Sequence, residues 1–599
     1  MAAIDEIKQH IEAQRSFVLE AGAGSGKTYT LIQTLNYLLD SKREKLAQEN
    51  RKIACITYTN VAKNEIIERL EHNPLVQVST IHEFLWSSIK SFNKQLIIEL
   101  DKLNEEKAIK EPDKYQTGLK DRIIEVTYDD SGYRDFEKGR LEHDDVIVLS
   151  NWMYKNYETL STILAQKYPF ILVDEYQDTA TETAEALIEY LLEKNSIKLL
   201  LGFYGDSHQK IYDHGVGDLQ KYIDTDKLVL VKKEENYRSS VEVINLLNRI
   251  RTNIQQVIPE NKKRVSGSVK FINCINYPAK GPKEKVKDYE ERILPIKTNN
   301  YQTIIERLKN DQWNFDENGE DKILILVNSK VAEQAGFGNL YQVYNKRFFE
   351  PKEELMKRGD IFANLFMGSL DKKTGIERET GVEHLASFYE ARDYNKIIHF
   401  LKRSALRNKP LFSIHPDKQK ISNALDTLIN ARNIDSVKDI YSLCINNNFI
   451  QVSDSITRFE KEIAEDPSTF TDPKDLERYY RKKTFYSDLM NLKYEEIINA
   501  FKFIKDQTAL STKHGTKGEE YRNVLVVIDD TSWKTKYNFQ NFFNGEEKLP
   551  EREIRTRNLF YVSCSRAKEN LVVLALSEME EPAMLKIKSW FGENVEVIS

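Results

Sequence analysis

Eight consecutive residues near the start of the chain have the composition of a phosphate-binding loop. The segment Ala21-Gly22-Ala23-Gly24-Ser25-Gly26-Lys27-Thr28 follows the apolar run Phe17-Val18-Leu19 and precedes a helix-like stretch. In such a unit the loop N–H groups converge on phosphate oxygens, the lysine reaches the outer phosphates and the threonine hydroxyl ligates Mg²⁺. Ala21 stands where the strict pattern has glycine. The segment predicts a site for ATP and Mg²⁺.

Two adjacent acids follow a second apolar run, Phe170–Val173. Asp174 is placed to hold Mg²⁺, and Glu175 to accept a proton from the attacking water or to orient it. Acids at the end of an apolar strand are common, but an upstream phosphate loop gives this pair a specific task. Together the two segments predict hydrolysis of the bound nucleotide.

Two further segments carry groups suited to the outer phosphate and the base. In the segment 205–212, Gln209 is placed to sense the terminal phosphate, and Tyr212 to face a polymer. In the segment 235–240, Tyr237 can stack on adenine and Arg238 can neutralise charge that develops during phosphoryl transfer.

Polar residues also follow two earlier strand-like runs, 53–57 and 76–79. In a parallel sheet such residues meet at the carboxyl ends of the strands, where ligands bind. Their hydroxyl, amide, imidazole and phenol groups suit phosphates and stacked bases. The predicted nucleic-acid contacts here are Tyr58, Thr59, Asn60, Thr80 and His82.

The helix-like segment 4–11 places Gln9 shortly before the first strand. Its amide could pair with the adenine edge, or Gln9 could be an ordinary solvated helix residue. The sequence leaves both interpretations open.

Composition limits the class of protein. At 599 residues, with 40% hydrophobic and 30% charged residues, the chain should fold as several domains. It has no apolar run of about 18 residues and no signal-peptide pattern at its start, so we expect a cytoplasmic protein with no membrane contact. The four cysteines have neither metal-site nor disulfide spacing. A net charge of −6 still allows a local basic groove.

Two regions lack these chemical signals. Residues 86–155 are charged and mostly helical, and their His143-Asp144-Asp145 run suits the start of a helix better than a metal site. Residues 341–505 are rich in helical patterns and carry no signature. The first region is predicted to be an inserted subdomain.

In this order and spacing, the motifs resemble the UvrD-like branch of the superfamily 1 DNA helicases. Several of these motifs are weak individually, but the ordered set is specific. The matching segments are 21–28, Thr57-Tyr58-Thr59-Asn60, Ser79-Thr80-Ile81-His82, 173–179, 205–212 and 235–239.

The resemblance implies an α/β fold with two RecA-like P-loop NTPase domains, each built on a parallel sheet, and two mostly helical inserts. The first core domain would comprise residues 1–85 and 156–255, interrupted by the insert 86–155. The second would comprise residues 256–340 and 506–599, interrupted by the insert 341–505.

Two late segments acquire roles only through the resemblance. In the segment 509–521 it places Gly518 and Glu520 on the nucleotide side, and Thr512 and His514 toward DNA. In the segment 559–568 it makes Arg566 a second arginine at the γ-phosphate, beside Lys27 and Arg238.

One departure concerns DNA stacking. After Tyr212 the family usually carries a tryptophan, whereas this chain has Asp213 and then His214. Because an imidazole stacks less strongly on a base, the change weakens the expectation of duplex unwinding more than that of ATP hydrolysis.

Two functions from different classes follow. The first is an ATP-dependent helicase or translocase that moves 3′ to 5′ on single-stranded DNA, or at its junction with duplex, in DNA repair or antiphage defence. The second is a DNA-stimulated ATPase switch that regulates a companion nuclease or ATPase and unwinds little. Shorter UvrD-like proteins of this kind resemble helicase subunits of bacterial antiphage systems such as Gabija, in which a nuclease partner cuts. A simple nucleotide kinase would leave Arg566 and the segment 512–518 unexplained.

Overall fold

A computed structural model describes most of the chain. The described residues are 2–112, 114–128, 134–210, 215–260, 262–316, 319–325, 328–370, 377–404, 415–505, 507–511, 519–530 and 536–599. They divide into two compact units, unit 1 with residues 1–275 and 533–599, and unit 2 with residues 276–532.

The strands are numbered in chain order. They are β1 (Phe17–Ala21), β2 (Ile53–Thr57), β3 (Val76–Thr80), β4 (Thr127–Tyr128), β5 (Arg140–Leu141), β6 (Phe170–Asp174), β7 (Leu200–Gly205), β8 (Val229–Lys233), β9 (Ser268–Cys274), β10 (Lys322–Ile325), β11 (Ser369–Leu370), β12 (Glu377–Arg378), β13 (Leu510–Ser511), β14 (Tyr521–Ile528), β15 (Ala567–Ala575) and β16 (Val595–Ile598).

The α-helices are numbered in the same way. They are α1 (Ala3–Glu12), α2 (Lys27–Gln48), α3 (Asn60–Arg69), α4 (Ile81–Ile89), α5 (Asn93–Lys110), α6 (His143–Asn156), α7 (Glu158–Lys167), α8 (Thr181–Glu185), α9 (Glu193–Asn195), α10 (Gln220–Asp224), α11 (Val241–Ile250), α12 (Val286–Asn310), α13 (Asn328–Gln334), α14 (Gly338–Arg347), α15 (Pro351–Leu355), α16 (Ile361–Met367), α17 (Val382–Glu390), α18 (Tyr394–Ser404), α19 (His415–Ala431), α20 (Val437–Asn446), α21 (Asp454–Ala464), α22 (Pro473–Met490), α23 (Glu495–Ile504), α24 (Phe539–Asn544), α25 (Pro550–Cys564) and α26 (Glu581–Phe591).

Unit 1 is built on a six-stranded parallel sheet in the order β3-β2-β6-β7-β1-β8. Its inner strands are fully buried, because helices cover both faces of a parallel sheet. On one face of the sheet lies an apolar cluster that includes Leu31, Leu35 and Leu38 of α2. On the other face lies an apolar cluster that includes Phe84 of α4 and Leu149 of α6. The chain turns after β1, β6 and β7 therefore meet at one edge of this sheet.

Unit 1 also contains the parallel strands β15, β9 and β16, with β9 in the middle. Helices α24, α25 and α26 belong to the same unit, and their ring side chains pack together at Phe543, Phe560 and Trp590. This part of unit 1 carries the segment 559–568.

Unit 2 contains the parallel strands β13, β10 and β14, with β10 in the middle, and a mostly helical region. The helical region has its own apolar core, to which α14, α16, α17, α20 and α22 contribute. A buried ion pair lies within it, since Arg432 Nη1 donates to Glu383 Oε2 at 2.8 Å. Burial raises the pKa of Glu383 to about 7.

The predicted α/β class with large parallel sheets is confirmed, whereas the four-part domain division stays a prediction. Two elements differ from what local sequence patterns favour. Helix α12 contains Pro295, and the chain ends in a short strand, β16. No helix in the described ranges has the length and apolarity needed to cross a bilayer.

Candidate nucleotide and nucleic-acid site

The loop between β1 and α2 has the backbone conformation that phosphate binding requires. Gly24 and Gly26 have φ values of 74° and 76°, in the region that L side chains disfavour, and α2 begins at Lys27 directly after the second of them. A Cβ on Gly24 would lie 2.7 Å from Arg238 Cβ. Glycine is therefore required at residue 24 for both conformation and space.

Residues distant in sequence hold this loop in place. The carbonyl of Ala23 accepts hydrogen bonds from Asn236 Nδ2 at 3.0 Å and Gln256 Nε2 at 2.7 Å, and the N–H of Ala23 donates to the Tyr561 hydroxyl at 3.1 Å. The N–H of Tyr237 donates to the carbonyl of Gly24 at 2.9 Å. The loop is thus braced by the segments 235–240 and 559–568.

The two acids predicted to hold Mg²⁺ and to activate water lie at the end of β6. Asp174 is the last residue of that buried strand. Glu175 has a φ of 50°, an uncommon value for a residue with a side chain, and such strain is typical of functional positions. Its Oε2 lies 3.4 Å from Lys27 Nζ. The structure therefore brings the loop lysine and the predicted water-activating carboxylate together.

From Glu175 a chain of hydrogen bonds continues across the sheet edge. Gln177 Nε2 donates to Glu175 Oε2 at 2.6 Å, and Gln177 Oε1 accepts from the N–H of Asp206 at 3.1 Å. Gln209 Nε2 donates to Asp206 Oδ2 at 2.8 Å, and Gln209 Oε1 accepts from Arg566 Nη2 at 3.4 Å. Lys27, Glu175, Gln209 and Arg566 thus belong to one connected network.

The two predicted arginines lie close together in unit 1. Arg566 is fully buried, and its Nε donates to the carbonyl of Val562 at 3.1 Å. Burial, followed by the nearby Arg238 charge, lowers the pKa of Arg566 to about 10. Arg238 Nη1 donates to the carbonyl of Ser565 at 3.1 Å. The two guanidinium groups, with the Glu175 charge acting on Arg566, form a cationic region suited to an anionic ligand.

A buried ion-pair network supports this edge, and the sequence interpretation missed it. Arg251 Nη2 donates to Glu20 Oε1 at 2.6 Å, and its Nη1 donates to Asp206 Oδ1 at 2.8 Å. The Tyr176 hydroxyl also donates to Glu20, and Ser207 Oγ donates to Glu20 Oε1 at 2.6 Å. Desolvation, followed by repulsion from Asp206, raises the pKa of Glu20. The available signal was a glutamate inside an otherwise apolar strand, which needs a buried partner.

Glu20, Asp206 and His208 are close enough for their ligand atoms to share a metal ion. Arg251, however, already donates to both carboxylates. Burial, followed by the charge of Arg251, lowers the pKa of His208 to about 4, so the imidazole is neutral at pH 7. We interpret the trio as part of the ion-pair network.

The loop and the acids fit ATP with Mg²⁺. Ser25 Oγ is buried and has no hydrogen-bond partner among the described residues, as expected of a donor meant for a phosphate oxygen. Thr28 in the first turn of α2 and Asp174 at the end of β6 are the oxygen ligands available for Mg²⁺.

The predicted nucleic-acid residues of unit 1 lie at the ends of β2 and β3. Tyr58 is 37% exposed, and Thr59 Oγ1 caps α3, which begins at Asn60, by accepting from the N–H of Ala62 at 3.1 Å. Thr80 forms a capping box with Glu83 at the start of α4, and His82 follows in the first turn. The two threonine hydroxyls thus stabilise helix starts, a role that the sequence interpretation did not assign.

The remaining predicted residues are scattered. Gln9 is exposed on α1, Tyr237 is partly exposed beside the loop, and Glu520 immediately precedes β14 in unit 2. His143, Asp144 and Asp145 open α6, as predicted, and Asp145 pairs with Arg134. Five predicted site residues lie outside the described residues, namely Tyr212, His214, Thr512, His514 and Gly518.

Comparisons with known proteins agree with this geometry. A family described as an AAA domain matches residues 5–214, which include the phosphate loop and the acids after β6. The chain is 28% identical to the Gabija protein GajB of Bacillus cereus, across 99% of this chain and 97% of that protein.

Two kinds of DNA helicase are also similar. The chain is 25% identical to the ATP-dependent DNA helicase PcrA of Bacillus subtilis, across 41% of this chain and 38% of that helicase. It is 23% identical to the ATP-dependent DNA helicase Rep of Buchnera aphidicola from Acyrthosiphon pisum, across 92% of this chain and 91% of that protein. These relatives confirm the resemblance predicted from the motifs and support a helicase-type function.

Proposed function

We propose that this chain, a relative of the UvrD-like superfamily 1 helicases, hydrolyses ATP to move along single-stranded DNA in the 3′ to 5′ direction. The direction comes from the family resemblance alone. Because a Gabija protein matches across 99% of this chain, we place the activity in antiphage defence. The cytoplasmic location is proposed from the sequence.

The observation that carries the proposal is the hydrogen-bonded network from Lys27 through Glu175, Gln177, Asp206 and Gln209 to Arg566. It joins the phosphate loop to an arginine far along the chain. A loop that only bound nucleotide would not need a link to a distant arginine. An ATPase that transmits its nucleotide state to other parts of the protein would need one.

The residues of the site have separate chemical roles. ATP with Mg²⁺ supplies the phosphoryl group that is transferred to water. Thr28 and Asp174 would hold the ion, and Lys27, Arg238 and Arg566 would neutralise charge on the outer phosphate. Glu175 would orient the attacking water and accept its proton. Tyr237 would stack on the base, and Gln9, Gly518 and Glu520 remain proposed nucleotide contacts.

Gln209 would link hydrolysis to the DNA. Its amide contacts Asp206 on one side and Arg566 on the other. The residues after it lead toward Tyr212 and His214, which we propose contact DNA together with Tyr58, Thr59, Asn60, Thr80, His82, Thr512 and His514. Loss of the Gln209 amide is therefore expected to separate ATP turnover from movement.

A second function is favoured by the match to the Gabija protein and by the segment after Tyr212, where this chain has Asp213 and His214 and lacks the family's usual stacking tryptophan. In this alternative, DNA stimulates the ATPase, and the nucleotide state regulates a companion protein such as a nuclease. Strand separation would then be weak or absent.

The experiment measures ATP turnover with and without single-stranded DNA, and strand separation on duplexes with a 3′ or a 5′ overhang. Stimulated turnover with unwinding of only the 3′-tailed duplex supports the motor. Stimulated turnover without unwinding of either duplex supports the switch. ATP turnover that does not change when single-stranded DNA is added would contradict both functions.

Two variants test the site. Lys27→Ala is expected to lower turnover by about 10²-fold or more through loss of phosphate charge neutralisation, and Glu175→Gln to do the same while ATP still binds. Lys42→Ala, on the same helix but paired with Glu12 at the surface, is the matched control and should retain turnover. Normal turnover in either site variant would refute the assignment.

A further inference from the structure

Four ring side chains meet where helix α4 contacts the region 86–155. His82 and Trp86 lie four residues apart on α4 and therefore share one face of the helix. Tyr128 lies on β4, and His143 is the first residue of α6. We call these four residues the ring cluster.

The rings form a continuous series. The centroids of His82 and His143 are 4.7 Å apart, those of His143 and Tyr128 are 5.7 Å apart, and those of Tyr128 and Trp86 are 5.8 Å apart. The Tyr128 hydroxyl and His143 Nδ1 are 2.6 Å apart and share a hydrogen bond. The series is held by polar as well as apolar contacts.

The ring cluster is not part of the closed core. His143 is exposed, and the other three rings are only partly buried. Trp86 and Tyr128 pack on the core that contains Phe84 and Leu149, but each retains solvent-accessible surface. Rings with one supported side and one accessible side are suited to stacking with a planar ligand.

The ring cluster is continuous with the strand ends. His82 lies in the first turn of α4, just after β3 ends at Thr80. Lys63 of α3 bonds to Glu83 of α4 at 2.7 Å, so the starts of these two helices are joined. Tyr58 immediately precedes the cap of α3. An unpaired strand that contacts Tyr58 and His82 would therefore lie next to the other three rings.

We propose that the ring cluster is a base-stacking surface that extends the single-stranded DNA path from the strand ends onto the region 86–155. The inference rests on the proposed function, and it assigns Trp86, Tyr128 and His143 as DNA contacts. Such stacking accepts any base, because every base has a π face. Lys90, one helical turn beyond Trp86, supplies a cation for the DNA backbone.

The test compares two oligonucleotides of equal length, one of deoxythymidine and one with abasic sites throughout, by fluorescence anisotropy. Stacking on bases contributes only to the first. Wild-type protein is expected to bind the thymidine strand more tightly, and His143→Ala and Trp86→Leu to reduce that preference by about 5-fold or more each, because stacking contributes about 1–3 kcal/mol per base. Trp86→Leu keeps apolar bulk against the core.

A control outside the ring cluster separates stacking from a structural role. Ile109→Ala changes an exposed residue on α5 in the same region and should leave both affinities unchanged.

Each outcome has a defined meaning. Unchanged preference in His143→Ala and Trp86→Leu would refute the inference, as would equal losses of affinity for the two oligonucleotides, which indicate a structural role. A wild-type protein that binds neither oligonucleotide would instead refute the proposed function.

Discussion

Replacing Arg251 with methionine is expected to destabilise unit 1 by about 5 kcal/mol. Arg251 is 1% exposed, and its guanidinium pairs with Glu20 and Asp206, whose side chains are 9% and 0% exposed. Removing one partner of a buried ion pair costs about 3–5 kcal/mol, because the other charge stays buried without compensation. Since one arginine serves two carboxylates here, we expect the upper end of that range. Native proteins are stable by only about 5–15 kcal/mol, so the loss is large.

The stability lost in Arg251→Met should depend on pH in a defined direction. The pKa of Glu20 is already raised in the folded protein by desolvation and then by Asp206, and Arg251 opposes that rise. Without Arg251 the pKa of Glu20 in the folded protein rises further. At pH values above the pKa that Glu20 has in the unfolded chain, the folded state then binds more protons than the unfolded state. The stability of Arg251→Met should therefore fall as pH rises and recover as pH falls.

The assay is urea unfolding of wild type and Arg251→Met over a range of pH values, followed by tryptophan fluorescence. Arg15→Met is the control, because Arg15 pairs with Asp226 at 2.7 Å on the surface, where ion pairs contribute about 0–1 kcal/mol. A loss below about 1.5 kcal/mol in Arg251→Met would refute the reasoning. A difference from wild type that widens as pH falls would also contradict it.

Three further changes have expected outcomes. Gly24→Ala should lower affinity for a fluorescent ATP analogue at least 10-fold, because φ is 74° there and the new methyl group would clash with Arg238. Gly118→Ala is the control, since residue 118 has a φ of 75° but open space around it. It should cost only about 1 kcal/mol of stability and leave binding of the analogue unchanged. Tyr561→Phe removes the acceptor of the Ala23 N–H and should cost about 1–3 kcal/mol, measured by urea unfolding. Because the pKa of Glu383 is raised from 4.5 to about 7, stability should fall as pH rises from about 4.5 to about 7. Glu383→Gln should flatten that dependence. A pH profile of unfolding that is the same in Glu383→Gln and wild type would contradict the last expectation.

Local sequence patterns predicted much of unit 1 because the features concerned are local. Apolar runs of about five residues form strands buried on both faces, and β1, β2 and β6 lie where those runs occur. The glycines of the loop are needed for positive φ, and a lysine and a threonine must follow at fixed spacing. The start of α6 was equally visible in the sequence, from His143 and the two acids Asp144 and Asp145.

Two elements go against the local patterns. Pro295 lies inside α12, although proline is usually a helix breaker, and the short strand β16 follows a helix with few flanking signals. For β16, tertiary pairing outweighs local preference, since this strand pairs along β9 from Val595 to Ile598.

The sequence by itself determined that the chain carries a phosphate loop, paired acids, two candidate arginines and a specific motif order. It could not decide which side chains meet. The Tyr561 hydroxyl accepts the N–H of Ala23 from 538 residues away, and Arg251 reaches Glu20 across 231 residues. The ring cluster likewise joins α4 to β4 and α6. Such contacts depend on strand order and helix packing, which fix distances between residues remote in the chain, and no local pattern encodes them.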